Sequence, residues 1–113
     1  MSDPDRIRLR HMLDAATEAL TFARNRTKED LSADRQLALA LIKEIEIMGE
    51  AASRLSEEMR DRHPEIPWSA IVGMRNRLIH AYADIDLEVV WSAITSDLPR
   101  LTRFLEDLLG PGS

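Results

Sequence analysis

Between residues 36 and 55 the apolar side chains Leu37, Leu41, Ile45, Met48, Ala52 and Leu55 return every three or four positions. Lys43, Glu44, Glu46 and Glu50 are spread around the other faces. A stripe of that period buries as one side of an α-helix and as nothing else. A helix of roughly five to six turns cannot cover its own apolar side, so the rest of the chain must supply further elements to pack against it. Gly49 interrupts the run at a cost of about 1 kcal/mol relative to alanine, which predicts a place where another helix approaches closely.

The remaining sequence supplies helices. From 5 to about 25, Leu9, Met12, Leu13, Ala16, Leu20 and Ala23 repeat with the same period, and Pro4 suits the start of a helix. Thr27 with Asp30 has the spacing of a capping box, while Ser32 and Asp34 offer a second cap, and spacing alone does not choose between them. Ser56 can cap a short turn through Arg62, after which Pro64 and Pro67 impose an extended loop. Pro67 then opens a third helix through Ile71, Met74, Leu78 and Ile79, ending near Tyr82. Asp84 or Asp86 caps a last one, which carries Leu87, Val90, Ile94, Leu98, Leu101, Leu105 and Leu108 and should kink at Pro99. No strand pattern or repeat competes. The expected class is all-α: an antiparallel four-helix bundle with short extra turns, formed by one domain over 1–113 with 110–113 as a flexible tail. Trp68, Trp91 and the apolar faces of the first two helices could supply a two-fold dimer interface; alternatively both tryptophans fill the core.

The chain has no cysteine and only three scattered histidines, so neither a disulfide nor a metal site is expected, and no cofactor. No apolar run reaches membrane-spanning length and the N-terminus lacks the order of a secretory signal, which predicts a cytoplasmic protein with no membrane partner. The net charge of −5 counts against non-specific attraction to nucleic acid. Even so, Arg54, Arg60, Arg62, Arg75 and Arg77 gather in the middle of the sequence, where a phosphate would go.

Bundle packing does not account for the polar residues of 74–82. Arg75, Asn76 and His80 make chemical sense for cutting a phosphodiester. Histidine moves a proton near neutral pH, arginine stabilises charge on the phosphorane, and an amide orients either; Arg77 is a further candidate phosphate contact. On a regular helix Asn76 and His80 share a face, but Arg75 lies about 140° from His80, so the pair converges only if the helix end distorts or a second subunit helps. Cleavage by a 2′-hydroxyl needs both a base and an acid, and with one histidine in the set a two-fold dimer would provide the second; Tyr82, or a lone His80 assisted by arginine, could serve instead. The same residues also admit plainer roles: His80 binding a C-terminal carbonyl, the arginines solvated or ion-paired, Tyr82 a core ring.

Arg75-x4-His80-x-Tyr82 resembles the R-x4-H-x-Y signature of the HepT branch of the HEPN superfamily. IMGEAA at 47–52 resembles that family's I-G-E-A-A stretch, and HPEIPW at 63–68 followed by IVGMRN at 71–76 resembles its most recognisable run. Val90-Trp91 and Asp97-Leu98-Pro99 fit its last helix; Met48 stands where isoleucine is common. The resemblance implies a helical homodimer that acts as the toxin of a toxin–antitoxin pair. Arg75 and His80 would then be catalytic in a metal-independent ribonuclease site at the dimer interface, with Asn76 in support. It also implies a partner, a minimal nucleotidyltransferase antitoxin, that silences the enzyme by attaching AMP to Tyr82. The alternative is a non-catalytic, nucleotide-binding or accessory helical module of a nucleotidyltransferase complex.

Overall fold

A computed structural model describes residues 1–81 and 84–111; at residues 79–81 and 84 it describes the backbone. Helix α1 (Asp3–Ala23) starts two residues earlier than the apolar period requires, because the Ser2 hydroxyl accepts from the Asp5 amide and Pro4 occupies the first turn. The two candidate caps that follow are both used. Thr27 forms a reciprocal capping box with Asp30 to open α2 (Lys28–Ala33), and Asp34 accepts from the Leu37 amide to open α3 (Arg35–Ser53). Arg26 holds both caps in place through Asp30 and Asp34, the latter at 3.0 Å.

Helices α1 and α3 form the main packing pair. Leu9, Met12, Ala16 and Ala19 of α1 are buried with Leu41, Ile45, Met48 and Ala52 of α3 in one apolar cluster. Its other side is closed by a helical run through α7 (Leu87–Ser92), a π-helical segment (Ala93–Asp97) and α8 (Leu98–Leu109). Val90, Ile94, Leu98, Leu101 and Leu105 are its buried positions. In a straight α-helix the Pro99 ring would clash with the carbonyl four residues back. The widened turn ahead of it, where the Leu98 amide donates to the Ala93 carbonyl, absorbs that conflict. The expected disturbance at Pro99 therefore takes the form of a π turn.

Two contacts tie the irregular stretches down. Asp5 is buried and its carboxylate accepts from the Ser56 hydroxyl (2.6 Å) and amide (2.9 Å), anchoring the start of α4 (Glu57–Arg62) to α1. Burial alone would raise the Asp5 pKa, but the hydrogen bonds from Ser56 hold it below the usual carboxylate value. Trp68, the other anchor, is buried, and its ring N–H donates to the carbonyls of Arg60 and His63. The core role is thus the one Trp68 fills, while Trp91 is half-buried at the edge of the cluster.

The third helix departs from expectation. It is split at Gly73 into α5 (Trp68–Val72) and α6 (Met74–Leu78), and the chain then turns into an antiparallel pair, β1 (Ile79–Ala81) with β2 (Asp84–Ile85). The class remains all-α, with this short hairpin as its one β element among the described residues. The Asp86 amide donates to the Leu78 carbonyl at 2.7 Å, which supplies the end of α6 with a non-helical partner. Asp86 then caps α7 through the Val89 amide. At the C-terminus Gly110 ends α8 with φ 76° and ψ 172°, a conformation open mainly to glycine; 112–113, the end of the expected tail, lie outside the described residues.

Gly49 does what its position suggested. A Cβ there would sit 3.2 Å from the Ile71 carbonyl oxygen and 3.6 Å from that of Val72, so α3 and α5 meet backbone to backbone. Glu44 was expected on a polar face but is buried. One of its carboxylate oxygens has no hydrogen-bond partner among the described residues. Burial, reinforced by the Glu18 carboxylate of α1, pushes its pKa up to about 7.

Gly49→Leu is expected to lower the midpoint of thermal or urea unfolding by an amount typical of overpacking, about 1–3 kcal/mol. Gly49→Ala, which also gains about 1 kcal/mol of helix propensity, should change it much less. Because Glu44 binds its proton more tightly folded than unfolded, stability should fall as pH rises from its ordinary value of 4.5 through about 7. Glu44→Gln should flatten that slope and melt above wild type at about pH 8, as followed by circular dichroism.

Candidate functional site

The close approach at Gly49 sets α5 and α6 against the C-terminal half of α3. Arg75, in the first turn of α6, is thereby brought to α3, where its Nε lies 3.4 Å from a carboxylate oxygen of Glu46. Both groups reach solvent, so the pair is worth at most about 1 kcal/mol and leaves the guanidinium able to exchange Glu46 for another anion. Asn76 is exposed, with its amide donating to the Gly73 carbonyl.

Arg75 forms one edge of a cleft of about 520 Å³ between α1 and α3. Arg8 and His11 reach it from α1, and Lys43, Glu46, Glu50 and Arg54 from α3, with Ile47 and Ala51 as its apolar floor. Arg54 is paired with Glu50 at 2.8 Å. The side chains of Arg8, His11 and Lys43 make no ion pair or hydrogen bond with any described residue. This assembly is not visible in the sequence, where His11 is one of three scattered histidines and the arginines gather in the middle of the chain. The available signal was the spacing of Lys43, Glu46, Glu50 and Arg54 at three and four residues, which puts them on one face of α3.

Arg77 goes elsewhere. Its guanidinium donates to the Ala70 carbonyl at 3.2 Å, and it lines a separate depression with Glu88 and Asp97 at the junction with α7. Arg75 and Arg77 therefore serve different surfaces. Of the other clustered arginines, Arg62 pairs with Glu58 on α4.

His80 lies in β1, one residue beyond the point where α6 gives way to extended backbone. The 140° separation expected on a continuous helix therefore does not apply, and the helix end is distorted in the segment where convergence with Arg75 would require it. The His80 side chain and all of Tyr82 lie outside what the structure describes. Among the described residues, no group of three or more His, Asp or Glu side chains could hold a metal ion, and no helix is long and apolar enough to cross a membrane.

The family model described as "Ribonuclease HepT-like" matches residues 12–108. Among curated proteins, "Probable ribonuclease HepT" of Thermococcus cleftensis is 38% identical over 87 residues, 77% of this chain and 79% of the relative. "Putative RNase TTE0752" of Caldanaerobacter subterraneus subsp. tengcongensis is 32% identical over 101 residues, covering 89% and 90%. "Putative RNase MJ1380" of Methanocaldococcus jannaschii is 30% identical, covering 84% and 87%. No solved structure matches the chain.

Proposed function

The chain belongs to the family of HepT-like ribonucleases, and from that premise we propose that it is the toxin of a toxin–antitoxin pair. In this reading it is a metal-independent endoribonuclease that works in the cytoplasm as a two-fold dimer. Its antidote is a nucleotidyltransferase that attaches AMP to Tyr82. The observation that carries the reading is Arg75. It belongs to an intact R-x4-H-x-Y set and stands exposed at the edge of a cleft whose charge is locally positive in a chain of net charge −5.

The chemistry needs little more than that set. His80 takes the proton of the ribose 2′-hydroxyl as its oxygen attacks phosphorus. Arg75 stabilises the charge that builds on the non-bridging oxygens, and the bond to the 5′-oxygen breaks as that oxygen takes a proton from an acid. His80 of the second copy is the acid this reading assigns, with Asn76 orienting the pair. The products are a cyclic phosphate and a 5′-hydroxyl. Support for a second copy comes from three exposed apolar side chains that do not line the cleft, Ile7 and Phe22 on α1 and Leu39 on α3, which a dimer would cover. An AMP group on Tyr82 would bring bulk and negative charge close in sequence to His80, where an RNA phosphate must bind.

The net charge favours a second reading, a non-catalytic helical module of a nucleotidyltransferase complex. Incubation with total cellular RNA in the presence of chelator separates the two. Wild type is expected to produce new ends with cyclic or 3′-phosphates and His80→Ala none, with the same helical circular dichroism; intact RNA in both lanes would favour the module. After incubation with the cognate nucleotidyltransferase and ATP, mass spectrometry should find one AMP increment on Tyr82 and none on Tyr82→Phe.

A further inference from the structure

Among the described residues, the α1/α3 cleft has a lining with more cationic than anionic side chains. Arg8, Lys43, Arg54 and Arg75 face Glu46 and Glu50 there, leaving a surplus of positive charge, and His11 adds a ring N–H donor. The groove between α1 and the end of α8 is the opposite: Arg10 stands against Asp14, Glu18, Glu106 and Asp107. The depression that holds Arg77 also carries Glu88 and Asp97. Of these three grooves the α1/α3 cleft is the one whose lining would attract a polyanion.

Within that place the positive groups are available. The two glutamates that neutralise part of the cleft are already engaged, Glu50 by Arg54 and Glu46 by Arg75. Arg8 and Lys43 are left with no anionic partner among the described residues. Unpaired cations flanking an exposed apolar strip, here Ile47, suit a single strand: phosphates meet the cations and the sugar or base edges lie on the floor.

We propose that this cleft is the track that carries the RNA backbone to Arg75, with Arg8 and Lys43 as phosphate-binding residues and His11 and Arg54 as secondary contacts. The proposal rests on the ribonuclease reading and extends it from the signature segment to two helices far from it in sequence. Binding along the track and cleavage are then separable properties.

The test measures binding of a single-stranded RNA oligonucleotide, protected from cleavage by 2′-O-methyl groups, to the full-length protein over a series of salt concentrations. Arg8→Gln combined with Lys43→Gln should weaken binding roughly tenfold or more at low salt. It should also flatten the slope of log affinity against log salt by about 1.4, two phosphate contacts' worth on a single strand. Glu50→Gln should act in the opposite direction and tighten binding, an effect that misfolding cannot imitate. Lys28→Gln combined with Arg100→Gln, away from the cleft, should leave both quantities unchanged, and size-exclusion chromatography should give all variants the wild-type mass. If wild type cleaves RNA but the cleft variants keep its affinity and slope, the track is overturned and the ribonuclease reading stands. If wild type neither binds nor cleaves, the ribonuclease reading falls and the track falls with it.

Discussion

The contact on which the site depends is the one between Gly49 and the carbonyls of Ile71 and Val72. A side chain larger than a methyl at 49 would hold α5 away from α3, and α6 is joined to α5 through the single residue Gly73. Arg75 reaches Glu46, and through it the α1/α3 cleft, because two backbones touch one turn earlier. A residue that costs helix propensity inside the most regular helix of the chain thus sets the distance between scaffold and chemistry.

Around that contact the packed scaffold is separated from the segment that carries the candidate site. The α1–α3 pair and the α7–α8 run contribute most of the buried aliphatic side chains, and the irregular stretch from α4 to α5 is pinned by Asp5 on Ser56 and by the Trp68 ring on the carbonyls of Arg60 and His63. The signature segment begins where this pinning ends. Arg75 is on a five-residue helix and His80 on the strand that follows it, so the two belong to different kinds of backbone and their separation is not fixed by a helical repeat. Such a junction can be adjusted by what binds there without disturbing the core.

Much of this was legible in the sequence because it is local. The apolar periods gave the long helices, Thr27 and Asp34 announced their caps, and Gly49 announced a close approach. What stayed hidden depends on partners distant along the chain. Ile79 and His80 continue a helical period as well as they begin a strand, and the strand is decided by pairing with residues 84 and 85 and by the Asp86 amide on the Leu78 carbonyl. Glu44 reads as a solvated charge until α1 is laid over it. His11 has no evident role until the antiparallel packing of α1 on α3 brings it to the cleft that Arg75 borders, more than half the sequence away. Of the signature itself, Arg75 and Asn76 are fully described, while family resemblance remains the ground for His80 and Tyr82.

The π-helical segment at Ala93–Asp97 carries a meaning for the comparison of sequences. A π turn spends one residue more than an α turn on the same rotation, so it sets the helix back by about 100°, one residue's advance. Without that setback the buried positions upstream, Val90, Ala93 and Ile94, and those downstream, Leu98 to Leu109, would fan out over roughly half of the helix circumference; with it they fall within about a third. The extra residue behaves as a spacer that keeps two apolar phases aligned. A relative one residue shorter between 93 and 97 would bury the same side chains on an unbroken α-helix, and the length difference belongs at that turn rather than in a loop.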